Sequence, residues 1–307
     1  MSIPACSQAP VYPYPVHKDI ALTVTVVICT RNRPALLRDC LSAVSRLKPP
    51  PDDVLVVDNS SGDLETEHLA KKFGVRYTVE PIPGLSRARN RGLAESNSDI
   101  LAYIDDDGDP DEDWLGLLLQ PFADPQVAAV TGETIESHKD ANEFRQAPVR
   151  TLSNRDPLWF EAATFGGLGV GTSMAIRKSA CDVTPFFDVR LGRGTPIRIG
   201  EESRAFASLL ARGFKAAHVP AAIVVHPLGT RDISLEASSS VSYWLMLFLE
   251  SPGHRLDLLR FLYRRLRRVP LSWQRNPQAP GEIINSGWAI YLRAGLHALR
   301  LLFRGWK

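Results

Sequence analysis

Short apolar runs alternate with amphipathic segments along the first third of the chain. A nearly continuous β-branched run over residues 22–29 is typical of a strand buried on both faces of a parallel sheet. Pro34 then fits the first turn of a helix over residues 35–48, whose apolar positions recur at spacings of three and four. Three prolines end that helix, and a second buried strand follows at residues 53–58. This order predicts a right-handed βαβ unit.

The same alternation continues to about residue 230. Further helices are predicted at residues 64–73, after Gly84 and at residues 202–212. Further strands are predicted at residues 75–79, 99–104, 127–131, 170–177 and 221–226. The chain is therefore predicted to be an α/β protein in three parts. These are a Pro-rich extended segment at residues 1–20, a sheet domain at residues 21–230 and a helical C-terminal region at residues 231–307.

Composition excludes several classes of protein. With 44% hydrophobic and 23% charged residues, the 307-residue chain is not predicted to be disordered, collagen-like or a coiled coil. Its net charge of +2 is too balanced for a dedicated nucleic-acid binder, although residues 251–307 alone carry +9. Four scattered cysteines favour a reducing cytosol. The longest uncharged apolar-leaning stretch, residues 237–249, is shorter than the about 20 residues that a membrane-spanning helix needs. We expect a soluble or peripheral cytoplasmic protein.

Polar clusters follow three of the predicted strands, at residues 30–33, 58–60 and 105–107. Ligands of open α/β sheets bind beyond the carboxyl ends of the strands. The second cluster is equally typical of an ordinary turn. The three adjacent aspartates of the third repel one another unless a cation or several donors compensate them. Because Mg²⁺ and Mn²⁺ prefer oxygen ligands, the third cluster predicts a cation bridged to a phosphorylated substrate.

Six segments, in this order, resemble the motifs of the family 2 glycosyltransferases. They lie at residues 26–34, 56–63, 84–92, 103–110, 171–177 and 200–202, the last followed by a helix and residues 220–226. The resemblance covers about two-thirds of the chain. It implies a GT-A fold, with a Rossmann-like mixed sheet flanked by helices and here followed by a helical tail. It also implies a metal-dependent inverting transfer of a sugar from a nucleotide-diphosphate donor to an acceptor hydroxyl of a glycan, lipid-linked or small molecule.

The resemblance assigns roles at the donor site. Asp58 would accept a hydrogen bond from the nucleobase, and Thr30 and Arg31 would border the same pocket. Arg89 would face the diphosphate, with an exposed helix arginine as the alternative.

Further implied roles concern the acidic cluster and the metal. Asp106 would bind the ribose and Asp107 the Mn²⁺ or Mg²⁺ ion, while Asp105 orients them. His226 would be a metal ligand or a diphosphate contact, with a packed structural histidine as the alternative. The metal would stabilise charge on the departing nucleoside diphosphate.

An inverting transfer also needs a base for the acceptor hydroxyl. The family usually has a Glu-Asp pair at the start of a helix, where this chain has Glu201 and Glu202. We expect Glu202 to be the base, and the assignment between the two glutamates is open. The alternative is that both acids only complement the helix dipole. This departure also motivates a second hypothesis, a catalytically inactive relative that binds nucleotide sugar or forms a scaffold at a membrane. A nucleotidyltransferase is disfavoured because the glycine-rich, lysine-containing loop near the first strand is missing.

Two C-terminal segments, residues 255–269 and 288–306, have apolar positions at spacings of three and four among arginines. Such helices either lie on anionic membrane surfaces, here the inner face of the cell membrane, or pack their apolar faces on the sheet domain. Residues 133–170 show no pattern that identifies the sugar, the nucleobase or the acceptor. The sequence does not indicate the oligomeric state either.

Overall fold

The computed structural model describes residues 22–60, 62, 64–136, 141–227 and 233–266, together with the short strands at 274–275 and 283–284. The predicted extended segment at residues 1–20 and the predicted helix at residues 288–306 lie outside the described residues. The first four strands and three helices alternate along the chain as predicted. They are β1 (Val24–Thr30), α1 (Pro34–Val44), β2 (Asp53–Asp58), α2 (Leu64–Phe73), β3 (Arg76–Val79), α3 (Leu85–Glu95) and β4 (Ile100–Asp105).

The second half of the sheet domain contains elements that the sequence pattern did not reveal. Four of the next elements were not predicted: β5 (Asp109–Pro110), α4 (Trp114–Leu119), α5 (Ala141–Arg145) and β7 (Arg150–Leu152). The helix α6 (Trp159–Thr164) was not predicted either. The predicted elements are β6 (Val127–Ile135), β8 (Ser173–Arg177), α7 (Glu201–Ala211) and β9 (Lys215–Val225), which begins earlier than expected.

Nine strands form one mixed sheet, in the order β3-β2-β1-β4-β8-β6-β9-β5, with β7 also paired to β9. The first four are parallel, β8 is antiparallel to both of its neighbours, and β6 and β9 run parallel. The predicted mixed α/β architecture is therefore confirmed. The parallel half directs the carboxyl ends of β1, β2 and β4 to one edge of the sheet.

Hydrophobic cores cover both faces of this sheet, which explains why β1 is almost continuously apolar. Val27 and Cys29 point to the face covered by α3 and α7, and Val26 and Ile28 to the face covered by α1 and α4. Side chains of a strand alternate between faces, so most positions of a doubly covered strand are apolar.

The C-terminal helices α8 (Ile233–Glu250) and α9 (Arg255–Leu266) pack on the α7 side. Met246 and Leu258 belong to the same core as Phe206 of α7. His254, before α9, stacks on Phe160 of α6 with ring centroids 3.9 Å apart. The division of the chain at residue 230 stays a prediction. Among the described residues, neither of these helices nor any other combines the length and apolarity that a bilayer crossing requires.

Candidate active site

A cleft opens where the parallel strands end. The sheet register pairs Thr30 with Asp58 and Cys29 with Asp105, which brings the three predicted polar clusters together. Thr30, Arg31 and Asp105 line the cleft, and their predicted contacts with the donor stay predictions. The other lining residues are Cys29, Arg33, Asn59, Gly84, Leu85, Ala88, Arg193 and Gly194.

The loop after β1 supplies partners for the middle of the acidic cluster. The Thr30 hydroxyl donates a hydrogen bond to Asp106 Oδ2 over 2.6 Å. Arg33 forms ion pairs with Asp106 and, over 3.1 Å, with Asp107. Asp106 is fully buried, and this burial raises its pKa to about 6 although Thr30 and Arg33 act in the opposite direction. Its predicted ribose contact stays a prediction.

Asp105, Asp107 and His226 form a cluster whose ligand atoms all lie within 4.8 Å of one another. His226 Nε2 lies 2.9 Å from Asp107 and 3.9 Å from Asp105. The cluster exists because β5 pairs with the end of β9, which carries the aspartate loop to His226. Two carboxylates and an imidazole suit Mn²⁺ or Mg²⁺. The cluster thus contains the two predicted metal ligands, Asp107 and His226, and also Asp105, which was predicted only to orient the ribose and the metal.

Hydrogen bonding and charge set the protonation of this cluster. The hydrogen bond with Asp107 raises the pKa of His226. Burial acts to raise the pKa of Asp107, but the hydrogen bond and charge of His226 and the charge of Arg33 outweigh it and hold that pKa below its usual range. The Thr172 hydroxyl donates to Asp105 Oδ2 over 3.0 Å and so orients the second carboxylate.

Asp58 lies at the end of β2 and is fully buried. Its carboxylate accepts hydrogen bonds from the Ser60 amide over 3.0 Å and from the Tyr77 hydroxyl over 2.8 Å. The neighbouring Asn59 lines the cleft and accepts a hydrogen bond from the Gly84 amide over 2.8 Å, which ties the β2 loop to the start of α3. The contact of Asp58 with a nucleobase stays a prediction.

Arg89 is buried in α3, so the alternative of an exposed helix arginine is wrong. Its guanidinium donates to Glu201 over 2.9 Å and to the Gly171 carbonyl over 3.1 Å, and it lies 3.7 Å from Asp105. A Cβ on residue 171 would lie 2.6 Å from that guanidinium, so a glycine permits the close approach. The contact of Arg89 with a diphosphate stays a prediction, and its observed role is to join the acidic cluster to α7.

The two predicted base residues occupy different environments at the start of α7. Gly200 precedes the helix with φ +92°, in the left-handed region. Glu201 is buried against Arg89, whereas Glu202 is only partly buried. Burial, reinforced by the negative charge of Glu201, raises the pKa of Glu202 to about 8. Glu202 therefore binds a proton more tightly than a free glutamate does.

Arg33, Thr172 and Arg193 are site residues that the sequence reasoning did not single out. Arg33 and Thr172 fall inside two of the motif segments, at residues 26–34 and 171–177, and that membership is the sequence signal that could have identified them. Arg193 stands between Gly192 and Gly194, both with φ near +90°. That glycine pair indicates a tight loop, but only the fold places it beside the cleft.

The chain is similar to several known proteins. Relatives include the pre-mycofactocin glycosyltransferase of Mycobacterium tuberculosis, 35% identical over 38% of this chain and 23% of that protein. They also include the O-antigen chain rhamnosyltransferase RfbN of Salmonella typhimurium, 25% identical over 67% of this chain and 66% of that protein. The chain thus spans less than a quarter of the mycobacterial relative.

A solved structure with a similar fold is the mannosyltransferase PcManGT from Pyrobaculum calidifontis, in complex with GDP-Man and Mn²⁺. It has a TM-score of 0.59 and 18% identity, covering 95% of this chain and 82% of that one. This likeness confirms the predicted GT-A type of sheet. The model of the family described as glycosyl transferase family 2 matches residues 25–184, just over half of the chain. The chain belongs to glycosyltransferase family 2.

Proposed function

We propose that this protein is a metal-dependent inverting glycosyltransferase, which moves a sugar from a nucleotide-diphosphate donor to an acceptor hydroxyl. The observation that carries the proposal is the cluster of Asp105, Asp107 and His226, of which Asp105 lines the strand-end cleft. Arg89 links Asp105 to Glu201, beside Glu202. Family membership and the Mn²⁺ and GDP-Man of the structurally similar mannosyltransferase support it.

Asp105, Asp107 and His226 would hold the Mn²⁺ or Mg²⁺ ion. The donor set fits, because two carboxylate oxygens and one ring nitrogen already lie within 4.8 Å of one another. When bound, the ion would act as a Lewis acid toward the diphosphate. Thr30 and Arg31 line the cleft and would contact the nucleotide. Arg33 and Thr30 hold Asp106, which keeps the aspartate loop in a fixed conformation.

Glu202 would take the acceptor proton. The acceptor oxygen forms a bond to the anomeric carbon as the bond from that carbon to the phosphate oxygen breaks. The hydroxyl proton passes to the Glu202 carboxylate, and the nucleoside diphosphate leaves with the electron pair. Glu201 is less suited to this step because its carboxylate is already paired with buried Arg89. A single displacement with one base inverts the anomeric configuration.

A screen of UDP-, GDP- and dTDP-sugars with Mn²⁺ or Mg²⁺ tests the proposal, read as release of nucleoside diphosphate. The wild type is expected to release it with one donor class, and Glu202→Gln to lose transfer by several orders of magnitude. Glu236→Gln, which alters an exposed glutamate on α8, is the matched control and should retain activity. Donor binding without turnover by the wild type would instead favour the inactive relative, and release of pyrophosphate would indicate a nucleotidyltransferase.

A peripheral membrane role is the second part of the proposal, and it rests on the solvent side of α9. Leu258 faces the core, but Leu256, Leu259 and Tyr263 are 58%, 47% and 62% exposed on the opposite side of the helix. Arg260 lies on this same side and is exposed. An exposed apolar strip flanked by arginines fits an anionic lipid surface, where a lipid-linked acceptor would be within reach.

Flotation with vesicles of phosphatidylcholine, with and without phosphatidylglycerol, tests this surface. The wild type is expected to float with the anionic vesicles, and the double variant Leu256→Ser, Leu259→Ser to remain unbound. Leu64→Ser is the matched control, because Leu64 is 70% exposed on α2, outside the strip. Equal flotation of the double variant and the wild type contradicts the membrane role.

A further inference from the structure

Residues 191–197 form a closed strap beside the cleft. The Gly192 amide donates to the Ile197 carbonyl over 2.9 Å, and the Thr195 hydroxyl bonds to the carbonyls of both residues. The strap is fixed to the start of α3, because the Leu85 amide donates to the Arg193 carbonyl over 2.9 Å. Its backbone therefore has a defined position relative to the cleft.

Close backbone contact holds the tip of the strap against the neighbouring loop. A Cβ on Gly194 would lie 3.2 Å from the Cα of Gly84, tighter than most such contacts. Both glycines line the cleft. Gly194 also has φ +88°, which favours glycine. The strap thus fixes the Cα of Arg193 at the rim.

Arg193, like Arg31, lines the cleft and has no ion pair among the residues that the structure describes, whereas the other arginines around the site are paired. Arg33 is paired with Asp106, and Arg89 with Glu201. Arg190, three positions before Arg193, is paired with Asp188 and Glu250. Arg193 is exposed and lines the cleft.

We propose that Arg193 contacts the diphosphate of the donor from the strap side of the cleft. The inference rests on the proposed function and adds to it a positioning residue for the leaving group. An arginine suits this task because its planar guanidinium presents several donors that match phosphate oxygens in pairs. Arg193 and Asp105 both line the cleft, and an anion bound there would give Arg193 an ionic partner.

The step that Arg193 assists is the breaking of the bond from sugar to phosphate. As that bond breaks, negative charge builds up on the leaving phosphate oxygens. A cation close to those oxygens stabilises this charge. Arg193 therefore favours both binding of the diphosphate and its departure from the sugar.

Calorimetry with Mn²⁺ and the best of UDP, GDP and dTDP tests the inference on the full chain. Arg193→Ala is expected to raise the Kd of the nucleoside diphosphate by about 10- to 100-fold, the range that a hydrogen bond to a charged group is worth. The affinity for the corresponding nucleoside should not change. Arg198→Ala is the matched control, because Arg198 is exposed on the same segment and does not line the cleft. Arg193→Lys, which keeps the charge without the paired donors, should give an intermediate Kd.

The outcomes separate this inference from the proposed function. An unchanged diphosphate Kd in Arg193→Ala overturns it. Equal weakening of nucleoside and nucleoside diphosphate also overturns it, because that pattern indicates a displaced strap rather than a lost phosphate contact. If the wild type binds no nucleoside diphosphate in the presence of Mn²⁺, the proposed function itself fails.

Discussion

Replacing Glu202 with glutamine is expected to stabilise the folded chain at alkaline pH while it removes the proposed base. Burial beside Glu201 raises the pKa of Glu202 from 4.5 to about 8. A raised pKa means that the folded chain holds this proton more tightly than the unfolded chain does. The associated stability is therefore fully present below pH 4.5 and is lost as the pH rises through 8.

The interval from 4.5 to 8 corresponds, at about 1.4 kcal/mol per pH unit, to an upper limit of about 5 kcal/mol. Because part of the side chain reaches solvent, we expect roughly half of this value. Glutamine keeps the shape of the protonated acid and never ionises. The free energy of unfolding of the variant should therefore not fall as Glu202 ionises in the wild type. Its free energy of unfolding should match that of the wild type near pH 5 and exceed it by about 2–3 kcal/mol at pH 9.

Urea unfolding at pH 5, 7 and 9 measures this difference. The control is Glu236→Gln on the exposed side of α8, whose free energy of unfolding should follow that of the wild type at every pH. Parallel curves for the wild type and Glu202→Gln across the whole range would refute the reasoning. They would mean that Glu202 ionises in the folded state as readily as in the unfolded chain.

Three further measurements test the site. The value of kcat/KM is expected to rise with pH toward about 8, as Glu202 loses its proton. In Glu201→Gln this rise should occur at lower pH, because the variant lacks a negative charge that opposes the ionisation of Glu202. Asp107→Asn should weaken Mn²⁺ binding, measured by calorimetry, by more than the roughly 10–100-fold that a lost supporting hydrogen bond costs; an unchanged affinity excludes this cation site. Gly200→Ala should lower the free energy of unfolding by about 1–3 kcal/mol because of the positive φ, and unchanged urea unfolding would contradict it.

Local pattern was sufficient for the parallel half of the sheet. Buried β-branched runs, helix starts and short connections identify β1 to β4 and the helices between them, because each signal lies within a few residues of the element that it predicts. The three aspartates were recognisable for the same reason. Their placement at a strand end then follows from the general position of ligand sites in open α/β sheets.

The remaining features depend on contacts that are distant in sequence. The strand β5 has only two residues, one of them Pro110, so it carries no periodic signal, yet its pairing with β9 brings His226 to Asp107. Arg89 resembles any helix arginine until Glu201, 112 positions later, is placed beside it. The helix α9 exposes apolar residues on the side opposite its packed face, which a single amphipathic pattern does not predict.

The pairing of charges around the cleft indicates which groups are available for chemistry. Arg33 and Arg89 neutralise Asp106 and Glu201, and these four charges hold the loops after β1 and β4 and the start of α7 in place. Arg89 and Glu201 are both buried, and removing one partner of such a pair leaves an uncompensated charge, which costs about 3–5 kcal/mol. Glu201 therefore cannot readily exchange its partner during a reaction. Glu202 lies outside these two ion pairs. That difference, rather than its position in a motif, is the physical reason to assign the acceptor proton to Glu202.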